Sequence, residues 1–127
     1  MNLRWTRLAP PTVADPLRIA NCSGFYGDRL TAAWEMVNDG PIDVLTGDWL
    51  AELTMLILAR SQAKRPGGGY ARSFVTQMEQ VMGTCMDRGI KVVSNAGGLD
   101  PAGCAESIAQ VAVKKFEVSP NGSLVSK

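Results

Sequence analysis

Short aliphatic runs alternate with longer stretches of helical period along most of this chain, and no other feature constrains its fold as tightly. Residues 17–20 end in Asn21 and read as a first strand, residues 42–46 as a second and residues 90–94 as a third. Between the first two, residues 29–38 set Leu30, Ala33, Trp34 and Val37 at i, i+3, i+4 and i+7, one helical stripe halted by Gly40-Pro41. Residues 49–64 are apolar round most of a helical circumference, which predicts a central packing element covered on more than one side. After PGGGY at 66–70, residues 71–88 carry Phe74, Met78, Val81, Met82 and Cys85 at helical spacing, and Gly89 ends that helix. Asp100 as N-cap and Pro101 at the first helical position open a last helix through Val113.

Strands separated by helices pair in parallel through right-handed crossovers. The expected fold class is therefore α/β: a Rossmann-like parallel sheet with flanking helices, incomplete, with about three strands visible. Prolines 10, 11 and 16 make 1–16 an extended leader, 17–113 is the partial α/β domain, and 114–127 has no sustained period and reads as an irregular tail, hairpin-like or disordered.

Composition mainly excludes. Thirteen basic against twelve acidic residues give a net charge of +1, so neither nucleic acid nor a membrane surface is an expected partner. The most apolar run, residues 53–59, is bracketed by Glu52 and Arg60 and falls short of the ~20 residues that span a bilayer. With no histidine, Ser-His and Cys-His nucleophile pairs and the commonest transition-metal ligand are absent. Three scattered cysteines, Cys22, Cys85 and Cys104, and no signal-peptide core point to a reducing, cytoplasmic setting.

Ligands of parallel α/β sheets bind at the carboxyl ends of the strands, here the loops 21–28, 46–48 and 95–100. Each ends in an aspartate: Asp28, Asp48 and Asp100. Gathered at one mouth with Asn21, Cys22, Ser23, Thr46, Ser94 and Asn95, they would hold a hard cation through oxygen ligands or supply a carboxylate for proton transfer. The alternative is that each caps the helix that follows, and for Asp48 and Asp100 capping is the stronger expectation. Gly24, Gly27, Gly97 and Gly98 would let backbone N–H groups approach an anion. Asp48 lies about two dozen residues beyond Gly24, as a ribose-binding acid does, yet neither G-x-G-x-x-G nor a P-loop occurs. Cys22, between a strand end and a helix start, reads as a small buried residue or as a thiolate favoured by the helix dipole.

Three long blocks, RIANCSGFYGDRLTAAWEMV, GPIDVLTGDWLAELTMLILAR and GYARSFVTQMEQVMGTCMDRGIKVVSNAGGLDPAG, resemble the amino-terminal part of the acyclic terpene utilisation, AtuA-like, family from about Arg18 to Ala105. The resemblance implies a truncated member whose parent is a small-molecule enzyme of acyclic terpenoid or branched acyl-CoA catabolism. It carries over Asp28 and Asp48 as catalytic candidates, and Asn21, Ser23, Gly24, Thr46, Gly47, Asn95, Gly97 and Gly98 as substrate-binding ones, with an acyl-CoA-like substrate. It names neither metal nor cofactor. The competing expectation is a non-catalytic product that binds another chain, or a second copy of itself, through uncovered apolar helices.

Overall fold

The computed structural model describes residues 15–118 and 124–127, so the leader expected at 1–16 lies outside them up to residue 14, as does the middle of the tail, 119–123. Among the described residues the elements run β1 (Ile19–Asn21), α1 (Ala32–Asn38), β2 (Val44–Gly47), α2 (Glu52–Lys64), α3 (Arg72–Arg88), β3 (Lys91–Ser94), α4 (Pro101–Lys115), β4 (Phe116–Val118) and β5 (Leu124–Ser126). β1, β2 and β3 form one parallel sheet in that order, with Ala20, Leu45 and Val92 in register across it. The α/β parallel architecture is as expected, and it is one-sided in its packing.

Helices α1, α3 and α4 lie side by side in that order, and the core fills the space between them and the face of the sheet that carries Leu45. Leu45, Ala33, Val37, Val81, Met78 and Cys85 are buried there, and Trp49 meets Phe74 edge to face at 4.9 Å between ring centroids. Side chains alternate across a strand, so Ile19, Val44 and Val93 project from the opposite face, where Ile19 is 61% and Val93 60% exposed. Every residue of the edge strand β3 is exposed.

Local rules account for the helix ends. Gly89 adopts φ 65° at the C-cap of α3 and donates its N–H to the Cys85 and Met86 carbonyls, the left-handed closure only glycine makes without strain. Asp100 caps α4 by accepting from the Gly103 N–H at 2.9 Å. Arg88 reaches from the end of α3 to the Val37 carbonyl at 2.7 Å, where α1 runs out of intrahelical donors.

Three expectations change. The stripe on α1 is narrower than its spacing predicts: Ala33 and Val37 are buried, whereas Leu30 precedes the helix and Trp34, one residue round from Ala33, is 50% exposed. α2 is peripheral rather than central, burying Thr54 and Leu58 and leaving Leu53 and Leu56 in solvent, because its packing partners are loops rather than the sheet. The last helix runs two residues beyond Val113, and of the two readings of the tail the hairpin-like one is found. α4 continues to Lys115, and β4 and β5 then pair antiparallel, anchored by buried Phe116 against Gly83 of α3. Among the described residues no helix is long and apolar enough to cross a membrane.

Candidate functional site

The carboxyl ends of the three parallel strands lie together, because Asn21 is in register with Thr46 and Gly47 with Ser94. Backbone bonding continues past the strands. The Cys22 N–H donates to the Thr46 carbonyl at 2.8 Å and the Asp48 N–H to the Ser23 carbonyl at 2.8 Å, so the first two loops are zipped side by side. Ser23 is buried in that seam and donates its hydroxyl to the Phe25 carbonyl.

The second and third loops are joined through side chains. Asn95 donates its amide N–H to Asp48 Oδ1 at 2.7 Å and accepts the Trp49 N–H on its own Oδ1 at 3.0 Å. Asp48 Oδ1 also accepts the Leu50 N–H at 2.9 Å. The Asn95 amide, then the Leu50 N–H, hold the Asp48 carboxyl below the usual carboxylate range. Asp48 is thus a loop bridge and does not cap α2, whose N-cap is Ala51 with no side-chain bond. Both Asp48 and Asn95 are exposed, as is Asn21. The rim they form offers a fixed carboxylate and amide to solvent, suited to orienting a hydroxyl or carbonyl group.

Asp28 plays a local role. Its two oxygens accept the Gly24 N–H at 2.9 Å and the Arg29 N–H at 2.7 Å, closing its own loop, and those two bonds lower its pKa in that order. α1 starts only at Ala32, so Asp28 is no helix cap either. With Asp100 committed to Gly103, the three aspartates do not converge on one point. Among the described residues no three acidic or cysteine side chains form a metal-holding group.

The glycines divide. A Cβ on Gly24 would make only ordinary van der Waals contact, with Asp28 Oδ2 at 3.8 Å. Gly98 has φ +52°, and a Cβ there would meet Leu58 Cδ1 at 2.7 Å and the Gly69 carbonyl oxygen at 2.9 Å. Its smallness serves the close approach of α2 and the 66–70 loop rather than a ligand. A Cβ on Gly97 would likewise meet Pro101 at 2.8 Å.

Cys22 is 2% exposed, and desolvation, opposed in part by a backbone hydrogen bond, pushes its thiol up to about 11. Of the two readings, the small buried residue is the one found: burial outweighs any helix-end effect, and α1 begins too far along the chain to supply one. Cys85 and Cys104 are buried too.

Sequence reasoning did not anticipate a cleft of about 660 Å³ between α3, α4 and the helix-side face of β3. Phe74, Ser94, Gly97 and Pro101 line its end at the strand termini, and Met86, Ile90 and Ala112 line the other. The signal was present as two apolar stripes, Met78–Met82–Met86 on α3 and Cys104–Ile108–Ala112 on α4, each at i, i+4, i+8.

Comparison with protein-family models matches residues 17–120 to the acyclic terpene utilisation family protein AtuA, a span that extends beyond the resemblance read from the sequence blocks. Neither the search of curated proteins nor that of solved structures returned a match.

Proposed function

The chain belongs to the acyclic terpene utilisation AtuA family, and from that premise we propose that it provides a small-molecule site for acyclic terpenoid or branched acyl-CoA catabolism in the cytoplasm. The family match over residues 17–120 is the observation that carries this reading. In this reading the site is the rim of exposed Asn21, Asp48 and Asn95, with Thr46, Gly47, Ser23 and Gly24 forming the backbone beneath it. Asn95 orients a carbonyl or hydroxyl oxygen of the substrate. Asp48, held ionised by Asn95 and Leu50, accepts a hydrogen bond or takes up a proton. Asp28 keeps the first loop closed, and Gly97 and Gly98 set the backbone of the third. Three buried free thiols fit a reducing compartment.

Calorimetric titration with citronellyl-CoA and geranyl-CoA tests the proposal. Binding of either thioester, weakened at least tenfold by Asn95→Ala while acetyl-CoA binds poorly to both forms, is the expected result. Equal affinity for acetyl-CoA, or indifference to Asn95→Ala, overturns it.

A second reading, association through apolar surface, rests on one observation: Leu53 is 68% and Leu56 49% exposed on α2. Size-exclusion chromatography of the chain and of its Leu53→Ser variant separates the two readings. A monomer in both cases leaves the small-molecule site, and a dimer dispersed by Leu53→Ser favours self-association.

A further inference from the structure

The C-terminal half of α2 presents Ile57, Arg60, Ser61 and Lys64 on one helical face, and these side chains with Arg65 line a groove of about 410 Å³. Arg60, Lys64 and Arg65 are exposed, while Ile57 and Ser61 are half-buried. No aspartate or glutamate occurs between Glu52 and Glu79, a stretch that also holds Arg72. Among the described residues ion pairs form only between Arg18 and Asp43 and between Arg29 and Glu35, so the three groove cations have no carboxylate partner there. A chain whose net charge is only +1 thus concentrates positive charge in one groove.

Helix polarity explains only part of this arrangement. The carbonyls that end α2 carry about half a negative charge and favour cations in the last turn. One cation, Lys64, more than offsets that charge, and Arg60 lies a turn earlier. The turn that presents Arg65 is fixed. Pro66 restricts Arg65 to extended backbone, at φ −156° and ψ 148°, and the Ser61 carbonyl accepts the Arg65 N–H at 3.1 Å. Beyond it the chain runs so close to α2 that a Cβ on Gly68 would meet the Ser61 carbonyl oxygen at 2.5 Å. The cationic side chains therefore stand on a backbone that does not have to rearrange to receive a ligand.

We propose that this groove binds a small organic phosphate monoester. Such a group carries about −1.5 to −2 charge at pH 7 and three strong acceptor oxygens. The Arg60 and Arg65 guanidinium groups supply paired N–H donors that match those oxygens, and Lys64 supplies a point charge. Ser61 adds a hydroxyl, and Ile57 an apolar contact for the organic part. At about 410 Å³ the groove lies inside the ~300–1,000 Å³ range of small-molecule sites. It shares no residue with the rim of Asn21, Asp48 and Asn95 and does not depend on what binds there.

The test is calorimetric titration of the full chain with phenyl phosphate. Inorganic phosphate, which lacks the organic group, and benzenesulfonate, which lacks the second charge, are the comparators. One phenyl phosphate per chain, bound roughly tenfold more tightly than either comparator, is the expected result. Arg60→Gln and Lys64→Gln should each weaken it roughly tenfold. Lys114→Gln, which removes the same charge from an exposed position on α4, should leave it unchanged. Thermal melts give a second readout: phenyl phosphate should raise the midpoint of the chain and of Lys114→Gln, and not that of Arg60→Gln or Lys64→Gln. Absence of saturable binding overturns the proposal. So does an equal loss in Lys114→Gln, because net charge then suffices without the groove. Sedimentation with phosphatidylcholine vesicles that contain phosphatidate separates a lipid head group from a soluble ligand. Capture by those vesicles without binding of phenyl phosphate also overturns the proposal.

Discussion

Asn95 and Asp48, remote in sequence, meet at 2.7 Å through the Asn95 amide and one Asp48 carboxylate oxygen, and the Asn95 carbonyl takes the Trp49 N–H from the same loop. One side chain therefore fixes both the acid and the turn that leads to buried Trp49, which packs on Phe74 of α3. The rim and the core are coupled through this residue.

Asn95→Asp replaces the donor with a second carboxylate beside Asp48. Like charges raise the folded-state pKa of the pair, so the variant should lose stability as pH rises through the carboxylate range. Melting temperatures from pH 3 to 7, in parallel with Asn95→Ala, check this. The gap between the two variants should widen toward neutrality, and a constant gap rejects the charge explanation.

Asp43 receives the Arg18 backbone N–H at 2.8 Å and two guanidinium N–H groups at 3.0 Å each, and clasps the starts of β1 and β2. The Arg18 side chain, then its backbone N–H, lower the Asp43 pKa from 3.8 to about 2. A depressed pKa stabilises the folded state above the unfolded value and ceases to do so as pH falls through the folded one. The wild-type chain should lose this contribution between about pH 4 and 2. Asp43→Asn should be less stable at neutral pH and converge with the wild type in acid on thermal melts. The salt dependence should be modest, since two of the three bonds hold a defined fork.

The cysteines should be inert while the chain is folded. Cys22, Cys85 and Cys104 are 2%, 5% and 5% exposed, and burial raises the Cys22 thiol to about 11. Titration with a chromogenic disulfide at pH 8 should give almost no release from the native protein and full release of all three thiols in guanidinium. Fast reaction of Cys22 in the native state would contradict its placement.

Two substitutions should separate packing from backbone strain. Leu45→Ala removes a fully buried side chain from the central strand and should cost ~2–5 kcal/mol in urea unfolding. Gly98→Ala meets Leu58 and the Gly69 carbonyl at a left-handed φ, and should cost ~1–3 kcal/mol without making a cavity. An unchanged denaturation midpoint for Gly98→Ala would return that glycine to the ligand-binding candidates.

Local sequence rules were enough for the order of strands and helices, the stops at Gly40-Pro41 and Gly89, the Asp100 cap and the parallel α/β class, because each depends on residues within a turn or two of one another. The family blocks were legible for the same reason, being continuous stretches of chain. What Asp48 does was not legible: its capping role was the stronger local expectation, and it was displaced by a partner supplied from another loop. The burial of Cys22 fits its small apolar side chain, but how far its thiol is raised depends on desolvation by whatever packs overhead. The apolar composition of α2 predicted a central helix, but composition records how much surface wants cover and not which element provides it. The helix row on a single face of the sheet, the exposed Ile19 and Val93 on the other and the cleft beneath α4 share that origin. Hydrophobic period sets which side of an element is apolar, whereas long-range packing sets what lies against it.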